Sequence, residues 1–321
     1  MQYKGVSRPL QDIARELGVD GILEGSVNRS GNHVHVNLQL IYAPTDTHMW
    51  AQSYDRDLAG ALSLPQELSQ TIANEAKVVS APGRPKRYIR PEAHDAYLQG
   101  RYYWFGSNYE RSKEYFEKAI QLQPDYALAW DGLGDSYGAS AVAGQVPPQE
   151  AWSKGHAATL KALELDDSLP EAHNSMAAFY FFNRWDWQKA EAESLRAIDL
   201  DPNYAEAHHI HSYILSAMNL DDESVQEQKR SIELDPFARP EALGTAYLRA
   251  RQYDAAIDEL RVRAEIQRQD PYIHFLLFDA YWLKGMKREA AQHAEQIFLL
   301  GGNKQSAEAF RRAWERGATR H

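Results

Sequence analysis

Two hydrophobic periods divide the chain. Over His33–Tyr42, Val34, Val36, Leu38 and Leu40 fall on one face and His35, Asn37 and Gln39 on the other. That alternation predicts a half-buried antiparallel strand. A strand over 21–28 precedes it through the turn residues RSGN, and a third follows over 48–54. Leu10, Ile13, Ala14 and Leu17 share one face of a short helix, with Ser7 and Pro9 at its start and Gly18 at its end. A second amphipathic helix is expected over 62–78, with Leu64, Leu68, Ile72 and Ala76 on one side. From residue 93 onward the spacing becomes helical, and the pattern itself recurs. The phrases LQPDYALAW, LELDDSLPEAH, DLDPNYAEAH, ELDP and RQDPYIH close successive pairs of helix-length segments, and Pro202 and Pro236 stand 34 residues apart. A period of that size is the mark of an array of stacked helical hairpins.

Composition narrows the chemistry. The 321 residues contain no cysteine, which excludes a disulfide, a thiolate metal site and a cysteine nucleophile. Residues 1–90 carry 10 Lys and Arg against 9 Asp and Glu, a balance of +1, and residues 91–321 carry 25 against 36, or −11. An acidic array repels phosphate backbones, so no nucleic-acid partner is expected for this chain. The basic cluster Arg84, Lys86, Arg87 and Arg90 reads as a solvated linker over 81–91. No apolar run reaches the ~18 residues of a membrane span, and MQYKGVSRPL lacks the apolar core of a signal peptide, so a cytoplasmic protein is expected.

The repeated phrases resemble the tetratricopeptide repeat, which alternates large and small residues at fixed positions and closes on proline. Gly100, Tyr103, Ser112, Phe116, Ala119 and Pro124 match it in a first unit from Ala93, and Trp130, Leu133, Gly134 and Tyr137 in a second. The second unit is longer by about nine residues around 138–149, expected as a hairpin loop. Later units carry His173, Met176, Ala177 and Tyr180, then His208, Ser212, Ser224 and Ser231, then Leu243, Gly244 and Ala256, then His274, Leu277 and Ala290. The physical reason for the pattern is close packing. Small residues let two antiparallel helices approach, large ones fill the gap, and proline stops the second helix. The resemblance implies a mainly α fold: a right-handed α-solenoid of about six repeats over 92–302, with a capping helix and tail over 303–321.

The segment IARELGVDGILEGSVNRSGNHVHVNLQLIYAPTDTHMWAQSYDRDL resembles the TolB-like module of bacterial proteins, which implies a small α+β domain with a three-stranded antiparallel sheet over 1–80. In that family the module joins an N-terminal effector to C-terminal tetratricopeptide repeats. The effector is a nucleotide cyclase, a Ser/Thr kinase or a winged-helix DNA-binding domain. The module ordinarily has another strand and helix before the motif found here as Tyr3-Lys4-Gly5. An open sheet edge is therefore expected, with three accounts of it: a natural start upstream of Met1, a truncated remnant, or a second chain covering the edge, which includes self-association.

No phosphate-binding loop, nucleophile elbow, metalloprotease helix or kinase catalytic loop is present, and neither catalytic residue nor cofactor is expected. His208, His209 and His211 have the spacing to share a metal, but His173, His208 and His274 all occupy a repeat position that packs between repeats, so packing is the reading and no metal is expected. In tetratricopeptide arrays the first helix of each unit lines the concave face. Carried onto this chain, the resemblance implies a groove of Tyr97, Arg101, Trp104, Asp131, Asp135, Asn174, Phe181, His209, Tyr213, Glu241, Phe275, Asp279 and Trp282, extended by Ser216, Thr245 and Leu248. Aromatic anchors with scattered polar groups suit a protein or peptide segment. The expected function is a non-catalytic interaction scaffold in bacterial signalling or regulation. Its alternatives are the C-terminal part of a larger adenylate cyclase, kinase or transcriptional regulator, and a chaperone-like assembly factor.

Overall fold

The computed structural model describes residues 9–17, 19, 21–31, 33–43, 47–57, 67–68, 88–235, 239, 241–267 and 269–318. Most of the helix expected over 62–78, and of the linker over 81–91, lies outside these residues. By internal compactness the chain forms two units, Met1–Ala172 and His173–His321.

The first unit opens with helix α1 (Leu10–Leu17) and strands β1 (Gly21–Ser30), β2 (His33–Tyr42) and β3 (Thr47–Asp57), an antiparallel meander in the order β1-β2-β3. The register pairs Val27 with Val36 and Val36 with Tyr54. Val34, Val36 and Tyr54 are buried, with Leu38, Trp50 and Leu68 packed on them, as the alternation in β2 requires. The opposite face is a polar ladder. Ser53 Oγ donates to Asn37 Oδ1 at 2.6 Å, and Gln39 Nε2 donates to Glu24 at 2.9 Å. β1 continues two residues beyond its expected end, because Gly31, with φ of +59°, makes the reversal. Although Val27 shares the face of Val36, it is 68% exposed and Leu23 is 45% exposed, and among the described residues β1 pairs only with β2.

Among the described residues, the helices α2 (Pro91–Phe105), α3 (Tyr109–Leu122), α4 (Ala127–Val142) and α5 (Pro148–Leu165) follow. Three of these starts have a local reason. Pro91 and Pro148 occupy first-turn positions, and Asn108 accepts from the Arg111 amide to cap α3. The hairpins close through small residues. Ser112 Oγ lies 2.9 Å from the Gly100 carbonyl and 2.8 Å from Ser136 Oγ, joining α3 to both neighbouring first helices. The loop expected over 138–149 is largely helix instead. The extra residues lengthen α4 and α5, and Gly138 is buried in α4 where an added Cβ would lie 3.1 Å from the Trp152 ring.

The second unit continues the pairing. α6 (Pro170–Phe179, its first turn belonging to the first unit) runs into a π-turn, Tyr180–Arg184, and is followed by α7 (Trp187–Leu200). The spacing between crossing residues explains the wide turn. Ser212 and Ser224 are 12 residues apart and in contact, whereas Ala177 and Ala190 are 13 apart. One surplus residue in this repeat is absorbed by a wider helical turn, and Trp185 then reverses the chain at φ of +57°. Next come α8 (Ala205–Ala217) and α9 (Asp221–Leu234), α10 (Ala242–Arg249) and α11 (Tyr253–Ile266), α12 (Pro271–Leu283) and α13 (Lys287–Leu300), and a final α14 (Lys304–Ala318) where a capping helix is expected. α10 is the short one, with 8 residues, in the repeat whose sequence is shortened.

The histidines expected to pack between repeats act mainly as latches within one. His173 Nδ1 is 2.7 Å from Glu193, His208 Nδ1 is 2.6 Å from Glu227, and His274 Nδ1 is 2.9 Å from His293 Nδ1, each joining the two helices of its own hairpin. His208 Nε2 also reaches back to the Pro202 carbonyl at 3.0 Å. Both of its ring nitrogens therefore face acceptors, which is an imidazolium's arrangement. Burial opposes that charge, but the Glu227 and Pro202 acceptors prevail and raise the His208 pKa. Burial pulls the Glu227 carboxyl up, but the bond with His208 and the nearby His211, with Nδ1 3.7 Å away, hold it down to about 2.

Candidate functional site

In the first unit, α2 and α4 bring three of the expected groove residues together. Arg101 places its guanidinium 5.0 Å from the Trp104 ring centre and 4.9 Å from Phe105, with Nη1 3.9 Å from Asp135. Tyr97 turns the other way, packing 5.6 Å from Phe116 and 5.4 Å from Tyr126, and Asp131 is buried.

The denser cluster is in the second unit. The π-turn presents Phe181 and Phe182 edge-to-face at 4.7 Å. Phe181 lies 5.3 Å from Trp187 and both phenylalanines lie 6.3 Å from Tyr213 on α8. Beneath Tyr213, His209 is 5% exposed and its Nδ1 donates to Gln228 Oε1 at 2.8 Å. Burial, reinforced by Arg239, lowers the His209 pKa to about 4, so the ring is neutral at pH 7. Arg249, the last residue of α10, lies over Tyr213, with Cζ 4.0 Å from the ring centre. Its Nε and Nη2 are buried with no hydrogen-bond partner. An unmet buried donor costs about 1–3 kcal/mol, and more when charged.

α12 contributes the far side. Tyr272 stacks near Phe275 at 6.4 Å, and its hydroxyl pKa is raised by burial first, then by Tyr213 and Glu241. Phe275 and Trp282 are 46% and 48% exposed, and burial raises the pKa of Asp279 between them. Of the expected residues, Phe181, His209 and Tyr213 are in mutual contact through Tyr213, and Glu241 is close enough to influence Tyr272. His209 and Asn174 are interior rather than surface groups. Sequence reasoning missed Arg249, Phe182, Trp187 and Tyr272. Arg249 stands one residue beyond the expected lining position Leu248, and the surplus residue after Ala177 was the available sign that Phe182 and Trp187 would move inward. Among the described residues no group of three or more His, Cys, Asp or Glu could hold a metal ion, and no helix is long and apolar enough to cross a membrane.

A tetratricopeptide repeat family model matches residues 96–126, the span of α2 and α3. The Cut9–Hcn1 hetero-tetramer of the APC/C superposes with a TM-score of 0.54 at 18% identity, over 68% of this chain and 42% of that one. PilW, a type IV pilus biogenesis factor, superposes with a TM-score of 0.53 at 16% identity, over 67% and 97%. Residues 96–126 thus match one tetratricopeptide repeat. The helical part of the chain has the fold seen in both structures, built from helix pairs whose first members carry the clusters described above. A curated relative, "Putative adenylate cyclase 3" of Rhizobium meliloti (strain 1021), is 30% identical over 192 residues. The chain spans 31% of that relative's length.

Proposed function

We propose that the tetratricopeptide repeats form a non-catalytic scaffold that binds a protein or peptide segment along their first helices, in bacterial signalling or regulation. The observation that carries this reading is the Phe181–Phe182–Tyr213–Arg249 cluster, where aromatic side chains and a cation meet on first-helix positions. Such residues are the ones that dominate interface energies. Arg101, Trp104 and Asp135 supply a second cluster of the same kind. Tyr213→Ala combined with Asp135→Lys should remove the proteins that the wild-type chain retains in affinity purification, with far-UV helicity unchanged. Retention of the same proteins by the variant overturns the groove reading.

A second reading is favoured by the relative. We propose that these repeats also serve as the interaction part of a larger regulator with an upstream effector, a cyclase being the effector the relative's name suggests. The exposed β1 edge with Leu23 and Val27 is then where preceding residues, or a second copy, complete the sheet. An antibody against the repeats should detect a native product well above 36.6 kDa. A band at that mass defeats the larger-protein reading, and a purely monomeric sedimentation profile of the purified chain defeats self-association.

A further inference from the structure

We infer that Arg249 is the anchor for a carboxylate, supplied by an Asp or Glu side chain inside a peptide that has apolar residues on both sides of it. The inference rests on the groove reading and names the chemistry of its occupant. Nε and Nη2 lie on one edge of the guanidinium, the two donors that meet both oxygens of a carboxylate at once. Both are buried and lack a hydrogen-bond partner, while the ring of Tyr213 lies against the guanidinium. Buried charged donors left without an acceptor are satisfied when an anion arrives.

The surroundings select the anion. A phosphate dianion calls for a second cation, and Arg239, the other guanidinium whose charge bears on buried His209, is engaged by Glu206. A singly charged, planar group fits one fork. Two aromatic walls adjoin it: Phe181 and Phe182 against Tyr213, and Tyr272 with Phe275 on α12, where Tyr213 and Arg249 both bear on Tyr272. A chain end would need a wall on one side only, whereas two walls fit a segment that continues past the acidic residue. The acidic array opposes long-range attraction, so recognition depends on this direct contact.

Panning a random 12-mer library, displayed as an N-terminal fusion with no free C-terminus, on the full chain tests this. The expected result is enrichment of Asp or Glu at one position between apolar residues. The best peptide, acetylated and amidated, should lose at least tenfold in affinity when that acid becomes its amide. Against R249Q the acid and amide forms should bind equally, and R249K, which keeps the charge without the fork, should retain a reduced preference. Circular dichroism of both variants verifies that they fold. Enriched peptides without the acid, or an undiminished preference on R249Q, overturn the carboxylate assignment and leave the groove reading standing. Tighter binding of the same peptide with a free C-terminal carboxylate, acid and side-chain amide then binding equally, overturns the side-chain source. Enrichment of no peptide overturns both.

Discussion

Phe116→Ala should lower the stability of the first unit by about 3–5 kcal/mol, the range for emptying a buried aromatic site. Phe116 is fully buried. It fills a notch that two glycines leave open: an added Cβ at Gly100 would lie 2.7 Å from the ring, and one at Gly132 2.5 Å. Tyr97, Leu133 and Ala158 close the remaining sides. Neither glycine has a side chain that could move into the vacated space, so the cavity collapses poorly and the cost falls near the upper end. The mirror experiment is Gly132→Ala, which overfills the same notch and should cost about 1–3 kcal/mol. Urea denaturation followed by far-UV circular dichroism measures both. In a repeat array stability is a sum of unit and neighbour terms, so the loss should appear as an earlier transition. A Phe116→Ala midpoint equal to the wild-type value would show that the notch is not what holds α2, α3 and α4 together.

Acidification from pH 7 to pH 4.5 should destabilise the second unit through two histidines that the fold keeps neutral. Burial lowers His209 to about 4, with Arg239 and Arg249 adding to it and Glu206 and Gln228 opposing. Burial also lowers His293 to about 4, with His274 and Arg261 adding to it, while Tyr281 stacks on its ring at 5.4 Å. The free imidazole titrates near 6.5. Below that value the unfolded chain takes up protons that the folded chain refuses, so the stability from these groups is complete above pH 6.5 and is lost as pH falls toward 4. For His209 the loss approaches about 3 kcal/mol at most. The His208–Glu227 latch works in the other direction: the raised His208 contributes below pH 6.5, and the depressed Glu227 contributes above 4.5 and is lost toward 2. His274 is also lowered by burial, so the lowered histidines of this unit outnumber the single raised one. The His209→Asn, His293→Gln double variant should therefore lose stability at pH 7 but show a smaller drop in thermal midpoint between pH 7 and 4.5. An equal drop in wild type and variant would assign the acid sensitivity elsewhere.

Much of the fold was legible because its signals are local. Alternation in His33–Tyr42 shows which strand face is buried, and the 34-residue recurrence of small and large residues marks each helix crossing. Gly138 misled because glycine and proline usually punctuate loops, whereas here Gly138 gives Trp152 room beside a longer helix. The histidines were placed at the right packing positions, but their partners lie on the second helix of each hairpin, 19 or 20 residues away. No local pattern specifies such a pairing. Of the candidate site, Phe181 and Tyr213 were legible from their repeat positions. Phe182, Trp187 and Arg249 were not, since a π-turn and a short helix rotate them into place.

The sequence by itself determines the period, the class of helix pairing, the buried face of β2 and the absence of cysteine chemistry. These follow from side-chain size and polarity at regular spacing, and a chain that repeats its pattern repeats its packing. Only the tertiary structure decided which polar groups are satisfied. It buries His209 as a neutral ring, sets His208 between two acceptors, and leaves the Nε–Nη2 edge of Arg249 without an acceptor beside Tyr213. The reason is that hydrogen bonding and charge depend on distances between helices, which one surplus residue after Ala177 and the short α10 change without disturbing the hydrophobic pattern.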